Sequence, residues 1–587
     1  MKKNKTNKLP QWAYITLFSY STLFTLMLIS LKTKAQTTPE QGTENVTSIL
    51  DYQPTILNSV KISDLPTFKD SAPAMPKLTY KIIDAQYDMK FIPDAIQPAV
   101  VKGEPLTKLY RNLVKVGFGN YNTAYGEYFY NNVRAKKHSY GVHAKHLSSN
   151  GNINELETNP GLNDNAIDAH FKYLFKDYSL YSTTGYTSNV VHYYGYSPNF
   201  RNELSPAYPS IASPKWDSSK DIVGDKQRFQ SWNVSTLLAS NFDKNSENFN
   251  NATSLQYSGI ADDYGMNEQR VNLSTNVGKK HEEEYLYVRA GVDFYNNKNS
   301  TLTQNTTFVT LNPKIKFNNK TWLLDVGAKI VPVFAKDNNR TYFYPDVNAG
   351  YQLLPNFINV YVNLGGNAYR NSFKTLTDVN AFMHNSASLQ NTNHQIDANG
   401  GVKGQLTKRI SYNVHAGYDI YKNFALYVLN DAFLLNNVFT TVYDNVNRAH
   451  VGGELNYQLH QKLVIATTAN YYNYKATKEL KVWYMPDLII NTSAKYNLED
   501  KLIATVQLNY LNTQYARKTT YDAKGVKMYE TIKLNSFVDA NLGVEYRYNK
   551  RLSAYLQFNN LAAQRYYRFI NYPSQRFNVM GGITYGF

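Results

Sequence analysis

The stretch FNVMGGITYGF, from Phe577 to Phe587, alternates between two kinds of residue. Every second residue from Phe577 onward is apolar, aromatic or glycine, and the residues between them are mostly polar or small. Because successive strand residues point to opposite faces, the stretch predicts a strand with one apolar face. A soluble sheet would show the same alternation. The aromatic ending favours the closing strand of an outer-membrane barrel, with Ile583, Tyr585 and Phe587 as its insertion signal.

Composition narrows the class of protein. The chain has 587 residues, no Cys, 51 Tyr, 28 Phe and a mean hydropathy of -0.49. It therefore predicts neither a helical membrane protein nor disulfide or thiolate chemistry. Abundant tyrosine suits a membrane interface, although a Tyr-rich adhesive or carbohydrate-binding β-protein would share it. The net charge is +17, but no basic run interleaves with aromatics on a recognisable module, so no nucleic-acid partner is expected.

The chain begins with the pattern of an export signal. Lysines precede an apolar stretch from Trp12 to Leu31, and Thr33-Lys34-Ala35 supplies small residues for cleavage before Gln36. Residues 1–35 are therefore predicted to be a signal peptide, with an uncleaved anchor as the alternative. Seven of the twenty Pro lie between Pro54 and Pro105, and residues 36–108 lack strict alternation, so they predict an irregular periplasmic or lumenal segment.

Residues 109–587 repeat one pattern to the end of the chain. We identify twenty-two extended segments, among them Ile532–Tyr548, and ten tight connections alternate with longer ones. Short periplasmic turns and longer outer loops are typical of a bacterial outer-membrane barrel. A barrel of this size has too wide a lumen for side chains to fill, so the polar face points inward. Solenoids and propellers are the alternative, but no fixed-period motif occurs. The predicted fold class is an all-β transmembrane antiparallel barrel.

The stretch from Phe558 to Phe587 resembles the end of the TonB-dependent receptor barrel. The matching features are Asn560-Leu561, Tyr566-Tyr567, Tyr572-Pro573, Arg576 and Phe587. The whole chain is similar to outer-membrane proteins of Bacteroidetes-type bacteria. The resemblance implies a twenty-two-stranded barrel and energised uptake of large or scarce solutes. The sequence departs from the family because residues 36–108 are too short and Pro-rich for a plug domain, and no TonB-contacting motif is recognisable.

Charged residues on the polar faces are the candidate lumen lining. They are Asp168, Lys172, Arg289, Asp293, Asp397, Lys403, Asp419, Glu454, Lys533, Asp539, Glu545 and Arg547. No nucleophile elbow, phosphate loop or metal-ligand spacing accompanies them, so we expect no enzyme, no cofactor and no metal site. His143 and His146 lie three residues apart on a strand and face opposite ways, so they cannot share an ion without a bulge.

Two functions fit these features. The first is a transport protein in the cell outer membrane, in contact with its lipids, inserted by the barrel assembly machinery and served by a TonB-type energiser. The second is a structural platform for a surface lipoprotein or secretion machine. An apolar loop from Phe424 to Tyr443 is the candidate partner-binding site, or else a tall hairpin that packs on neighbouring loops. Its apolar residues are Leu426, Phe433, Leu434, Leu435 and Phe439.

A wide barrel also needs something that narrows its lumen, because an open hole of this diameter would breach the membrane barrier. The candidates are the segment of residues 36–108 and the longer outer loops, residues 197–227 and 371–393.

Overall fold

The structure is a computed structural model that describes residues 109–587 except 152, 154–159, 196–225, 242–247, 300–302, 337–338, 434, 436 and 460–461. The predicted signal peptide of residues 1–35 and the Pro-rich segment of residues 36–108 lie outside the described residues. Their boundaries remain predictions.

The described residues form 26 strands and one helix. The barrel strands are β1 Asn112–Gly119, β2 Thr123–Asn131, β3 His138–Ser149, β4 Leu162–Leu174, β5 Tyr178–His192, β6 Lys226–Ser240, β7 Asn250–Asp262, β8 Asn267–His281, β9 Glu284–Lys298, β10 Thr303–Asn318, β11 Trp322–Ala335, β12 Arg340–Leu354, β13 Ile358–Arg370, β14 Asn391–Thr407, β15 Ile410–Leu429, β16 Phe439–Leu459, β17 Leu463–Ala476, β18 Leu488–Leu498, β19 Leu502–Leu511, β22 Phe537–Arg547, β23 Leu552–Asn559 and β26 Asn578–Gly586. The helix α1 is Phe373–Val379, and the remaining strands are β20 Gln514–Tyr521, β21 Lys527–Leu534, β24 Tyr567–Phe569 and β25 Tyr572–Pro573.

The barrel is a single 22-stranded antiparallel sheet that closes on itself. β1 pairs with β2 on one side and with β26 on the other, and β26 also pairs with β23. At the end of this seam the backbone N–H groups of Asn112 and Phe587 each donate to the other residue's carbonyl oxygen over 3.0 Å. The closed sheet leaves no unpaired edge, as a membrane-spanning sheet requires. The prediction of a twenty-two-stranded barrel closed by the last strand is confirmed.

The two faces of the barrel strands differ in polarity. In β9 the side chains of Leu286, Val288 and Phe294 are exposed on the outside, and the alternating Arg289 and Asp293 face the other way. Ile583, Tyr585 and Phe587 are likewise exposed. This arrangement gives the barrel an apolar exterior for lipid and a polar lumen. Whether Ile583, Tyr585 and Phe587 signal insertion remains a prediction.

Short turns connect the strands at the rim that carries Asn112 and Phe587, which we call the periplasmic rim. The turn between β18 and β19 is built from Glu499 and Asp500, whose φ angles are 53° and 54°. Positive φ at both central residues is the geometry of a type I′ turn, whose twist matches that of the flanking strands. The long connections lie at the opposite, outer rim.

One predicted strand is wrong. The segment Ile532–Tyr548 was expected to be a single barrel strand, but β21 ends at Leu534 and β22 begins at Phe537. β21 pairs with β20 in a separate hairpin, whereas β22 pairs with β19 in the barrel. The apolar alternation continues across the break, so the two-residue period cannot reveal that the pairing partner changes. Lys533 therefore lies on the β20–β21 hairpin and not on the lumen wall.

Among the described residues, no helix is long and apolar enough to cross a membrane. The main apolar cluster of the described chain lies at the outer rim and not between barrel strands. Its fully buried side chains include Phe373, Met383, Leu426, Phe439 and Trp483. The long loops therefore form a packed structure of their own above the barrel.

Candidate functional site

The β15–β16 hairpin carries the centre of the loop structure. Ala425 to Leu429 are all buried, so this end of β15 is covered on both faces. A lipid-facing strand would expose every second side chain. The hydroxyl of Tyr427 donates to the carbonyl of Leu376 in α1 over 3.4 Å, and the ring of Phe439 contacts that of Phe569 at 5.4 Å. The hairpin therefore extends beyond the membrane wall and is packed between loops.

Loops from opposite sides of the barrel meet at the tip of this hairpin. The side-chain amide of Asn437 donates to the carbonyl of Tyr193 over 3.0 Å, and the hydroxyl of Tyr572 donates to the carbonyl of Asn437 over 2.5 Å. Tyr193 follows β5, which is nearly opposite β15 in the ring of 22 strands. Contact between these loops requires them to span the outer mouth. We call the packed residues 373–390, 424–433, 435, 437–444, 482–485 and 567–573 the outer dome.

Helix α1 is anchored to the barrel wall by one buried carboxylate. Glu268 in β8 accepts hydrogen bonds from the backbone N–H groups of Phe373 over 2.6 Å and Lys374 over 3.2 Å. The amide of Asn297 also donates to it. Ser372 caps the same helix end by accepting from the N–H of Thr375. A carboxylate at a helix start satisfies free N–H groups and the positive end of the helix dipole, so this contact fixes the dome to β8.

His384 is a buried titratable group inside the dome. Its ring lies 4.4 Å from that of Phe433 and 5.8 Å from that of Tyr264. The backbone N–H of Ser386 donates to its Nδ1 over 3.1 Å. Burial disfavours the charged imidazolium and lowers the pKa of His384 to about 4. The dome is therefore built around a neutral histidine at ordinary pH.

Below the dome, ion pairs line the inner face. Arg270 binds both oxygens of Asp293, over 2.7 and 2.8 Å. Lys314 donates to Asp346 over 2.7 Å and lies 3.3 Å from Asp325. These pairs connect β8 with β9, and β10 with β11 and β12, so charges of both signs line the inner wall.

The predicted lumen residues are found mainly on barrel strands, and several form pairs. Asp168 contacts His143, Asp293 binds Arg270, Asp419 binds Arg448, and Glu545 pairs with Arg547. Lys172, Arg289, Asp397, Lys403, Glu454 and Asp539 also lie on barrel strands. Lys533 does not. The role of this set in solute passage remains a prediction.

The partners of these residues were not predicted from the sequence. Arg270, Lys314, Asp325, Asp346 and Arg448 all lie on the inner face and complete the ion pairs. The sequence does indicate that these five residues face inward, because each follows the polar and apolar alternation of its strand. Face assignment along every strand would identify these residues.

The candidate partner-binding loop is not an exposed apolar patch. Leu426, Leu435 and Phe439 are buried in the outer dome, Phe433 packs on His384, and Leu434 lies outside the described residues. The expectation that these side chains lie open to solvent is wrong for the buried three. The alternative of a tall hairpin that packs on neighbouring loops describes the geometry. The segment was interpreted as a loop because a strand covered on both faces shows no alternation.

His143 and His146 face opposite ways, as their spacing predicts. The two ring nitrogens of His143 lie 2.9 Å from Glu127 and 2.9 Å from Asp168, whereas His146 contacts Asn165 over 2.7 Å. The carboxylates around His143 lie at opposite edges of its ring. They therefore do not converge on one point.

Comparison with known proteins gives matches at the level of structure. No family model and no curated protein sequence matches the chain. Among solved structures, the ferric-catecholate import receptor Fiu of Escherichia coli K12 is similar over 81% of this chain and 82% of its own, with 11% identity and a TM-score of 0.58. The ferripyoverdine receptor of the Pseudomonas aeruginosa outer membrane is similar over 82% and 72%, with 13% identity and a TM-score of 0.59.

A third structure gives the same result. The ferric enterobactin receptor PfeA of Pseudomonas aeruginosa is similar over 81% of this chain and 80% of its own, with 12% identity and a TM-score of 0.55. At this identity the likeness defines the fold. The chain has the 22-stranded barrel fold of outer-membrane receptors, in agreement with the resemblance identified from its last thirty residues.

Proposed function

We propose that this protein is a TonB-dependent receptor-like transporter of the outer membrane, which passes or imports a solute through the lumen of its barrel. The observation that carries this proposal is the outer dome, in which the loops of β5 and β15 meet across the mouth through Asn437 and Tyr193. A wide barrel needs closure only if its lumen would otherwise conduct. A charged inner wall under a closable mouth suits transport of a polar solute.

The solute class follows from size and chemistry. A lumen of this diameter is unnecessary for ions or simple sugars, which narrower porins pass. The similar structures are described as receptors for ferric-catecholate, ferripyoverdine and ferric enterobactin. We propose a large polar metal chelate of that kind as the solute of this chain. The predicted lumen residues, including Arg289, Asp293 and Asp419, would line its path.

The remaining parts of the proposal concern residues 1–108 and the partners. We propose that residues 1–35 are a signal peptide, that residues 36–108 form a short irregular segment in place of a plug domain, and that the chain comes from a Bacteroidetes-type bacterium. Lipids would contact the apolar exterior. The barrel assembly machinery would insert the barrel, and a TonB-type energiser would drive uptake.

A platform for a surface lipoprotein is the competing function. It drew its support from an apolar loop that was expected to be exposed, and the burial of Leu426, Leu435 and Phe439 removes that support. A platform also has no use for a lumen wall of paired charges. Transport is therefore the function that the geometry supports best.

The test is iron uptake by a deletion strain. The strain and its complemented parent would be grown with one ferric chelate at a time as the sole iron source, using ferric catecholates and pyoverdines as probes. We expect loss of growth and of ⁵⁵Fe accumulation on at least one chelate, and arrest by an uncoupler if the step is energised. Equal growth on every chelate, with a surface lipoprotein co-purifying, would support the platform and contradict transport of this class.

A further inference from the structure

The strongest unexplained feature of the lumen is a group of metal-ligating side chains at the base of the outer dome. Within the described residues, the ligand atoms of His394, Asp397 and Asp419 all lie within 4.8 Å of one another. Asp397 and Asp419 are directly opposite each other on β14 and β15. Nε2 of His394 lies 2.9 Å from Oδ1 of Asp419, whose side chain is buried.

A backbone irregularity brings these residues to one face. His394 and Asp397 are three apart, and on a regular strand they would point to opposite faces. The pairing of β14 with β15 shifts between His394 and Ile396, which is a β-bulge. Gln395 and Ile396 are consecutive, and both are exposed. The bulge therefore turns His394 into the lumen beside Asp397, and bulges of this kind re-aim side chains at functional sites.

A second histidine stands next to the group. Nδ1 of His450 in β16 lies 3.2 Å from Oδ2 of Asp419, but it makes no hydrogen bond with any residue that the structure describes. A buried ring nitrogen without a hydrogen-bond partner is uncommon, because burial removes its bond to water. This nitrogen lies beside the same carboxylate without a hydrogen bond to it, and it is a fourth possible ligand.

We propose that His394, Asp397 and Asp419 bind one divalent transition-metal ion of the Zn²⁺ class, with His450 as the additional nitrogen ligand. Zn²⁺ bonds of about 2.0–2.2 Å to nitrogen and oxygen place tetrahedral ligand atoms about 3.4 Å apart, which the spacing of the group can accommodate. Mixed imidazole and carboxylate ligands suit Zn²⁺, Mn²⁺ and Fe²⁺ better than Ca²⁺. Binding of the ion displaces the proton shared by Nε2 of His394 and Oδ1 of Asp419, and this proton passes to water.

The surroundings leave the group with a net negative charge of about one, which favours binding of a cation. Two carboxylates supply two negative charges, and the Nε of Arg448 binds Oδ2 of Asp419 over 2.7 Å and compensates one of them. Arg448 also donates to the hydroxyl of Tyr421 over 2.9 Å, and the ring of Tyr421 stacks on His394 at 4.1 Å. These contacts hold Asp419 and His394 in fixed orientations, as outer partners of metal ligands do. The site also touches the dome through Tyr421.

The experiment is a Zn²⁺ titration of the purified full-length barrel in detergent, measured by isothermal titration calorimetry after removal of metal with a chelator. We expect one equivalent of Zn²⁺ to bind. Asp397→Asn and His394→Gln should each weaken binding at least about tenfold, because each removes a ligand. His143→Gln is the matched control, since His143 also contacts two carboxylates, but at opposite ring edges. Its affinity for Zn²⁺ should equal that of the parent.

The contrary outcomes are equally defined. Absence of Zn²⁺ binding by the parent would overturn the proposal, as would an equal loss of affinity in the His143→Gln variant. Heat-modifiable migration of each variant in gels verifies that the barrel has folded, and Asp397→Asn conserves the side-chain volume. The readout is metal binding and not uptake, so this proposal and the proposed transport function can fail separately.

Discussion

The packing of the outer dome predicts a sharp difference between two leucines. Leu426 is 0% exposed at the centre of the dome, whereas Leu480 in a neighbouring outer loop is 81% exposed. Replacing a buried leucine by alanine costs about 2–5 kcal/mol, depending on how far the cavity collapses. The same change at an exposed site usually stays within about 0.5 kcal/mol. Leu426→Ala should therefore destabilise the closed dome, and Leu480→Ala should leave it unchanged.

The expected destabilisation by Leu426→Ala can be expressed as a change in the fraction of molecules whose dome is open. Because each 1.4 kcal/mol is a tenfold change in an equilibrium constant, the lower limit of about 2 kcal/mol raises the open fraction of the dome about thirtyfold. The barrel should remain intact, since β15 pairs with β14 only up to Lys422 and β16 pairs with β17 only from Val446, so these pairings do not include Leu426. The Leu426→Ala variant should thus keep its heat-modifiable migration while its outer loops open more often.

Hydrogen–deuterium exchange of the purified barrel measures this opening. Peptides from residues 380–390 and 424–444 should exchange faster in Leu426→Ala by about the factor calculated, and at the parental rate in Leu480→Ala. Barrel peptides such as residues 286–294 should be unaffected in both variants. Equal exchange of the dome peptides in the two variants would refute the claim that the loops form a packed, cooperative cap.

Three further predictions concern the seam, the terminal residue and the buried histidine. Gly582→Ala should lower the heat stability of the barrel, because a Cβ there would meet the carbonyl of Val116 at 2.1 Å. Gly126→Ala should leave the heat stability unchanged, because a Cβ there would have nothing within 4 Å. Equal melting temperatures of the two variants would contradict the β1–β26 seam. Phe587→Asp should impair insertion of the barrel and leave degraded protein. Gly586→Ala should have a mild effect on insertion, because the nearest contacts of its Cβ are at 3.7 Å. Normal gel migration of the Phe587→Asp variant would argue against a role of Phe587 in barrel closure. His384 has a depressed pKa of about 4, so the closed dome should keep its full stability above about pH 6.5 and lose stability as pH falls towards 4. A His384→Asn dome with the same pH-dependent exchange would exclude this histidine.

The fold was predictable because barrel strands obey a two-residue period. That period identified the twenty-two strands and the closing pair, of which β26 carries the clearest alternation. The period failed to predict structure where the pairing partner of a strand changed while the alternation continued. This happens at Asn535-Ser536, between β21, which pairs with β20, and β22, which pairs with β19. It failed again at residues 424–429, which are covered on both faces and so do not alternate.

The candidate site was harder to predict for a related reason. Face assignment from sequence assumes a regular strand, and the bulge at Gln395 moves His394 to the face of Asp397. A single-residue insertion of this kind leaves no periodic signal. The meeting of Asn437 with Tyr193 depends on loops that are far apart in sequence, and only the closed ring of strands determines which of them lie opposite each other.

The central claim is that the outer dome closes the barrel, and single-channel current in a planar lipid bilayer tests it most directly. Residues 431–437 would be replaced by Asn-Gly, since Asn430 and Val438 are already joined by a backbone hydrogen bond of 2.9 Å. Trimming the exposed tip of the β20–β21 hairpin, residues 522–526, is the control. We predict a closed parent, a closed control and large open currents in the 431–437 variant. Large currents in the parent, or a 431–437 variant that stays closed, would contradict closure by the dome.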